Sequence, residues 1–266
     1  MFASGGSRNI TGFDVPANKV TEAVVLMAGS GSRLRKHGFG LAKPLVPICG
    51  RPLISYTFDT LIHGGIRIVH AVVGFESDIL MARVQPLVPA SLDLRFITND
   101  GWEKQNGISV LAAANQVDAP FLLTMGDHLF DESMIDLLVR DAVPDQLNLA
   151  VDRKLDAVFD PNDATKVQTQ GDRIVAIGKE LQHYDAIDTG LFVCATNIFE
   201  YLERAKCNGD CSLSDGVRLM AGERKARAID IGDAWWQDVD TPEMLAQAEK
   251  HLRARVPLTE PIPENG

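Results

Sequence analysis

Four short apolar runs, Ala23–Ala28, Ile68–Gly74, Leu94–Thr98 and Phe121–Met125, each precede a stretch with helical spacing, and this alternation constrains the chain more than any other feature. Runs of this length, apolar at nearly every position, suit strands covered on both faces. The stretches Leu53–Ile62, Ser77–Val84, Ser109–Val117 and Ser133–Asp141 repeat apolar residues at i, i+3 and i+4, the pattern of an amphipathic helix. Strand and helix in alternation predict an α/β fold with a mainly parallel central sheet, right-handed crossovers and flanking helices. The second half changes character. Lys166–Gln170 and Arg173–Ile177 bracket a Gly171-Asp172 turn, a hairpin signal, and Gly190–Cys194 and Ala226–Ile231 read as further strands, so a small β-rich lobe is expected there. Thr241-Pro242-Glu243 opens a last helix, with Thr as N-cap, Pro at the first position and an acid in the first turn; it runs to about Arg255. Residues 1–20 and 257–266 read as loosely held tails, leaving one domain over 21–256.

Charge and cysteine usage remove several function classes. Twenty-six basic against 36 acidic residues give a net charge of −10, which repels a phosphate polymer, so no nucleic-acid partner is expected. Any phosphate bound must meet a local cluster of cations. The N-terminus lacks an apolar segment behind a basic start, four cysteines do not make a disulfide framework, and no apolar run approaches the roughly 18 residues of a membrane span. A cytoplasmic protein without membrane insertion is expected. Cys207 and Cys211 are spaced by three residues and have no second pair, so they read as reduced structural thiols rather than a zinc or redox motif.

The residues that carry chemistry begin where the first strand ends. Met27-Ala28 run into Gly29-Ser30-Gly31-Ser32-Arg33, with Lys43 shortly beyond. Glycines let backbone N–H groups approach a phosphate, and Arg33 and Lys43 add fixed charge, which a plain βα turn does not need. A dinucleotide fingerprint fails because Leu34 stands where a third glycine is required, and a Walker loop fails because this loop ends Gly31-Ser32-Arg33. Gly126-Asp127-His128 follows the apolar strand Phe121–Met125, so Asp127 overhangs the carboxyl edge of the sheet. A hard oxygen ligand for Mg²⁺ is one role for it, a turn cap the other. Trp235-Trp-Gln-Asp238-Val-Asp240 offers alternating carboxylates that face one side of an extended stretch. Asn106-Gly107-Ile-Ser109 opens a helix with groups that serve either as a cap or toward a base.

Leu26-Met-Ala-Gly-Ser-Gly-Ser-Arg33-Leu34 followed by Ala42-Lys43-Pro44-Leu45 resembles the signature of nucleotidyltransferases that activate phosphorylated sugars and alcohols. It departs at two apolar positions, Met27 and Ala42, where that family usually shows Ala and Pro. Asn106-Gly107-x-Ser109, Gly126-Asp127-His128, Val151-Asp152-Arg153, Asp163-Ala164-x-Lys166-Val167, Ile177-Gly178-Lys179, Asp188-Thr189-Gly190 and Trp236-x-Asp238-Val-Asp240 resemble the cytidylyltransferase branch, particularly the CTP:inositol-1-phosphate cytidylyltransferases, over about residues 22–250. The resemblance implies a Rossmann-like, GT-A-like fold whose smaller lobe binds the acceptor. It implies a triphosphate wrapped by Met27–Arg33 with Arg33 on its β,γ side, Lys43 at the reacting phosphates, and a nucleotide site that includes Asn106, Gly107, Ser109 and Gly126. It places Asp127 and a carboxylate of the 235–242 stretch on one Mg²⁺, slightly favouring Asp238 over Asp240. Lys179 would hold the acceptor phosphate, with Asp188 and Thr189 lining its pocket.

The implied reaction is transfer of CMP from CTP to a phosphorylated alcohol, inositol 1-phosphate favoured, with release of pyrophosphate. A phosphate monoester has its second pKa near about 6, so it attacks without a general base, and catalysis reduces to positioning and charge. Arg33, Lys43 and Asp127 are the catalytic candidates, and His128 is read as orienting Asp127. Arg153 and Lys166 bring further positive charge into the second half, and Tyr184, Trp235 and Trp236 are the rings available for a cationic head group. The alternatives are a sugar-1-phosphate nucleotidyltransferase using UTP or dTTP, and a cytidylyltransferase for phosphocholine or an aminoalkyl phosphonate. A silent nucleotide sensor does not need Lys43, Asp127 and Asp238, and a glycosyltransferase of similar architecture would carry Asp-x-Asp where Asp127-His128-Leu129 stands. Some relatives carry a membrane-embedded transferase behind this domain; here it is expected as a separate partner. The oligomeric state, a homodimer included, is left open by the sequence.

Overall fold

The computed structural model describes residues 20–36 and 40–255. The expected tails lie outside the described residues except for Val20, which is 4% exposed and packs in the core, so it belongs to the fold. In chain order the elements are β1 (Glu22–Met27), α1 (Ser32–Lys36), β2 (Pro47–Ile48), β3 (Arg51–Pro52), α2 (Leu53–His63), β4 (Ile68–Val73), α3 (Ser77–Val84), β5 (Asp93–Thr98), α4 (Asn106–Leu111), β6 (Phe121–Met125), β7 (His128–Phe130), α5 (Glu132–Asp141) and β8 (Leu147–Asp152). There follow β9 (Lys166–Gln170), β10 (Arg173–Gly178), β11 (Ala186–Cys194), α6 (Ile198–Ala205), α7 (Leu213–Gly222), β12 (Ala226–Asp230), β13 (Trp236–Asp238) and α8 (Pro242–Arg255).

The central sheet has the order β5-β4-β1-β6-β11-β8-β12-β10-β9. Its first four strands are all parallel, as the apolar runs demand. From β11 onward the sheet is mixed: β11 runs antiparallel to β6 and β8, β12 is parallel to β8, and the β9–β10 hairpin joins β12 and folds back onto β11. The strand order reverses at β1, because the chain steps outward to β4 and β5 and then returns to the other side as β6. A crevice at the carboxyl ends of β1 and β6 follows, and open α/β sheets bind ligands at such a switch point.

Alternation along β1 divides the core. Val24 and Leu26 point into a cluster with α4, α6 and α7, while Ala23, Val25 and Met27 point into one with α2, α3 and α5. A third, smaller cluster places the site. Leu34, Val46, Ile48, Leu53, Leu129, Val239 and Ala248, all nearly solvent-free, join α1, the β2–β3 hairpin, β7 and α8. Each side chain of this size contributes about 1.5–3 kcal/mol by leaving water, so the neighbours of Arg33 and of Asp238 and Asp240 are pinned to the same small core.

Candidate active site

The glycine loop leaves β1 and folds onto Lys43. Gly31 has φ +62°, and a Cβ there would lie 2.9 Å from Lys43 Cγ, so both the backbone conformation and the lysine stem require glycine. Lys43 opens a single helical turn over Lys43–Leu45 and turns its ammonium inward, 2.9 Å from Asp127 Oδ2 and also paired with Asp240 Oδ1. Arg33 on α1 pairs with Asp240 through one guanidinium nitrogen and lies 2.6 Å from Asp163 through the other. Asp163 in turn lies 2.5 Å from Lys179 Nζ.

Asp127 reaches this point because β6 ends at Met125 and the chain turns at once into β7. The β7–β13 ribbon then sets Asp238 opposite His128, and the Val239 N–H donates to the Asp127 carbonyl at 2.9 Å. That ribbon is what unites two segments so distant in sequence. The two carboxylates of the 235–242 stretch are not equivalent, because β13 ends at Asp238. Asp240 meets Lys43 and Arg33, whereas Asp238 Oδ1 is 3.3 Å from its neighbour Gln237 Nε2. Among the described residues no three His, Cys, Asp or Glu side chains form a ready metal cluster. Asp127, Asp238 and Asp240 nevertheless line one cleft and supply only hard oxygen donors, which fits Mg²⁺, an ion bound by one or two carboxylates with substrate phosphates and waters completing its shell.

Burial alone would raise the Asp127 carboxyl, but the Lys43 ammonium and the His128 hydrogen bond hold it far below the usual carboxylate range. Burial works against the His128 imidazolium, and the 2.8 Å bond from Nδ1 to Asp127 Oδ1, with the charges of Asp127, Asp238 and Asp188, outweighs it and raises its pKa. His128 therefore orients Asp127. Gly190, at φ +75°, exists because a Cβ there would lie 2.6 Å from the His128 ring.

Burial pushes Asp188 up to about 6, against the opposing Gly190 N–H and His128 charge. The unfolded chain ionises this group near its ordinary 3.8, so the fold is penalised increasingly as pH rises from about 4 to 6 and constantly above that. Asp188→Asn keeps the acceptor oxygen that Gly190 N–H uses at 2.8 Å and removes the charge. The variant is expected to be more stable than the parent by about 3 kcal/mol at pH 7.5, with the difference vanishing below pH ~4. Urea unfolding at the two pH values measures it, and a pH-independent difference contradicts the assignment.

A cleft of about 1080 Å³ brings together Arg33, Asn106, Asp127, Lys179, Asp188, Asp238 and Asp240, with Asp163 on the same wall. Gly29, Ser30 and Ser32 form the outer, solvent-facing part of the glycine loop. Other expected site residues carry structural contacts as well. Met27 and Ala28 are buried, Ala28 accepting from Phe75 N–H, and Gly126 is glycine because a Cβ would lie 2.5 Å from Met27 Cγ. Gly107 packs on the Cys211 carbonyl, 2.6 Å from where its Cβ would be, and Ser109 is buried, accepting from Asn99 Nδ2 at 3.0 Å. Thr189 does not face the cleft: next along β11 from Asp188, its hydroxyl is buried and donates to the Ala150 carbonyl at 2.8 Å. Asn106 does line the cleft, yet it caps a helix other than its own, its Oδ1 accepting from Leu213 N–H at the start of α7.

Arg153 and Lys166, which charge alone offered to the ligands, instead brace the smaller lobe. Arg153 pairs with Asp185 and donates to Thr169 Oγ1 at 3.1 Å, and Lys166 donates to the Lys179 carbonyl at 2.5 Å. Lys154, which the sequence did not single out, also lines the cleft, 2.9 Å from Asp152. Asp152, at the end of β8, also accepts from Trp236 Nε1 at 2.9 Å. An acid closing an apolar strand was the available signal, the same one that marks Asp127. The three rings do not surround one point: Trp235 stacks on His251, Trp236 stacks on His128, and Tyr184 lies against Lys166 outside the cleft. All four cysteines are free thiols.

Residues 23–204 match the family described as MobA-like NTP transferase domain. The chain is 32% identical over 234 residues to the bifunctional IPC transferase and DIPP synthase of Archaeoglobus fulgidus, covering 88% of this chain and 44% of that protein. It is 34% identical over 230 residues to the protein of the same name from Rubrobacter xylanophilus, covering 86% and 51%. The chain thus spans about half the length of these relatives. Among solved structures it is similar to the inositol-1-phosphate CTP transferase from T. maritima, with a TM-score of 0.78 and 26% identity over 88% of this chain and 95% of that one. The chain belongs to the MobA-like NTP transferase domain family.

Proposed function

We propose that the protein transfers CMP from CTP to a phosphorylated alcohol, inositol 1-phosphate favoured, and releases pyrophosphate. The observation that carries this reading is the convergence of Arg33, Lys43, Asp127 and Asp240 at the switch point of the sheet, beside a cleft that Arg33, Asp127, Asp240 and Lys179 line together. The likeness to a structure described as an inositol-1-phosphate CTP transferase supports the choice of nucleotide and acceptor. The scattered positions of Tyr184, Trp235 and Trp236 favour a polyol over a trimethylammonium head group, which calls for an aromatic cage.

In this reading Lys179 holds the acceptor phosphate, already largely dianionic at neutral pH, in line with the α-phosphorus. An acceptor oxygen forms the new bond to that phosphorus as the bond to the α,β-bridging oxygen breaks, and the pyrophosphate takes the electron pair. Lys43 and Arg33 stabilise the charge that develops on the leaving group, and the glycine loop positions the triphosphate. Mg²⁺, held by Asp127 with Asp238 or Asp240, would supply further charge to the same phosphates. No residue is required as general base, which agrees with His128 being committed to Asp127. Among the described residues no helix is long and apolar enough to cross a membrane. We place the activity in the cytoplasm, with the CDP-linked product consumed by a membrane transferase.

Pyrophosphate release across CTP, UTP, dTTP and GTP, each with inositol 1-phosphate, phosphocholine, 2-aminoethylphosphonate and glucose 1-phosphate, tests the reading. Turnover with CTP and inositol 1-phosphate at least tenfold above every other pair is expected. Activity with UTP and glucose 1-phosphate but none with CTP defeats it.

A further inference from the structure

The proposed reaction uses Arg33 toward the nucleotide and Lys179 toward the acceptor, and these two cations meet on a residue to which that chemistry gives no part. Asp163 lies between β8 and β9 with Oδ2 2.6 Å from Arg33 Nη1 and Oδ1 2.5 Å from Lys179 Nζ. One carboxylate therefore satisfies two cations that serve two different phosphate groups. Its hydrogen bond from Lys179 and the nearby Arg33 outweigh partial burial and hold its carboxyl below the usual range, so it is anionic at neutral pH. The arrangement is easily exchanged. The Arg33 and Lys179 side chains are 46% and 52% exposed, and ion pairs so placed contribute little to stability.

We propose that Asp163 is an internal substitute for substrate phosphate, a positioning residue that ties Arg33 to Lys179 in the free protein and couples entry of a nucleoside triphosphate to entry of a phosphate monoester. This rests on the cytidylyltransferase reading. A triphosphate arriving at Arg33 takes one of the two anchors of Asp163 and repels its carboxylate. Asp163 then leaves Lys179, whose ammonium is free for the acceptor phosphate. The direct repulsion between the two substrates opposes this, so the contribution of Asp163 is read by comparison with a chain that lacks its charge.

The test titrates inositol 1-phosphate calorimetrically into the full chain with Mg²⁺, in the absence and presence of saturating α,β-methylene CTP, whose bond to be broken is replaced by carbon. The coupling is the ratio of the two dissociation constants. It is expected to be at least about fivefold larger in the parent than in Asp163→Asn, the low end of measured couplings between sites. Asp163→Asn alone is expected to bind each ligand more tightly than the parent, because one competing carboxylate is removed from Arg33, which keeps Asp240, and from Lys179, and Asp163→Glu restores the coupling. Equal coupling in parent and Asp163→Asn overturns the proposal, as does an Asp163→Asn chain that binds both ligands more weakly, which marks a scaffold. Failure of the parent to bind the CTP analogue, or inositol 1-phosphate under either condition, overturns the cytidylyltransferase reading and this coupling with it. That result differs from intact binding with unaltered coupling.

Discussion

Asp127→Asn is expected to lower turnover by about 10³-fold or more while CTP affinity stays within tenfold of the parent. The carboxylate lies 2.9 Å from Lys43 Nζ and 2.8 Å from His128 Nδ1, and its strongly lowered pKa keeps it charged at every working pH. The glycine loop and Arg33, which hold the triphosphate in the proposed complex, are not altered by the substitution, so binding survives. What is lost acts on charge that develops during the reaction, and removing a single preorganised group of that kind costs about 10²–10³-fold even when no metal depends on it. Asparagine preserves shape and the oxygen that His128 addresses, so folding is retained; unchanged thermal unfolding confirms that. Pyrophosphate release in single turnovers, beside CTP binding by calorimetry, separates the two quantities. A variant that turns over within tenfold of the parent removes Asp127 from the reaction and with it the account of the metal.

The residues that were legible are those fixed by their immediate neighbours. Strands β1, β4 and β6 are buried on both faces and read as apolar runs, and the glycine loop and Asp127 follow two of them directly; β5, an apolar run as well, lies at the sheet edge with Asp93, Arg95 and Thr98 exposed, so it is not covered on both faces as expected. The last helix announces itself through Pro242 and Glu243. Elsewhere distant contacts decide. The expected helix Ser109–Val117 instead forms as Asn106–Leu111, because Asp210 holds Gln105 N–H at 3.0 Å and Asn106 is tied to Leu213, contacts that no local pattern encodes. Strand β11 begins at Ala186 rather than Gly190, since an irregularity in its pairing between Asp188 and Phe192 lets the strand continue through Asp-Thr-Gly, which reads as a break. Helix α7 hides behind Gly216, whose missing Cβ allows α6 to approach: a Cβ would lie 2.7 Å from Leu202 Cδ2. In the site, residue types pointed to Arg33, Lys43 and Asp127, and the family resemblance to Lys179, but the pairing of Arg33 with Asp163 and Asp240 depends on folding segments far apart in the chain. Thr189 shows the opposite limit: adjacent residues on a strand face opposite sides, so a motif that places Asp188 in the cleft sends its neighbour into the core.

Lys43→Met is expected to reduce turnover by about 10³-fold and also to destabilise the metal-free protein, a combination that Asp127→Asn does not produce. Methionine keeps the apolar stem that packs over Gly31 and removes only the ammonium. Asp127 and Asp240, whose side chains are 22% and 10% exposed, then lose their shared cation. Breaking a fully buried pair by deleting one partner costs about 3–5 kcal/mol; the residual exposure here, and Arg33 still on Asp240, reduce the expected loss to about 2 kcal/mol at pH 7.5. The sign with pH follows from Asp127. A carboxyl whose pKa is depressed by its cation adds stability above the unfolded value near 3.8, and that contribution disappears as the carboxyl protonates. The gap between parent and Lys43→Met therefore holds down to about pH 3.8 and narrows only as pH falls below it. Mg²⁺ supplies a cation to the same carboxylates, so it is expected to raise the melting temperature of Lys43→Met more than that of the parent. Thermal unfolding with and without Mg²⁺ at pH 7.5, and without it at pH ~2.5, measures all three effects. If Mg²⁺ stabilises the two chains equally, ammonium and metal do not share these carboxylates, and Asp240 belongs to the ion-pair network alone.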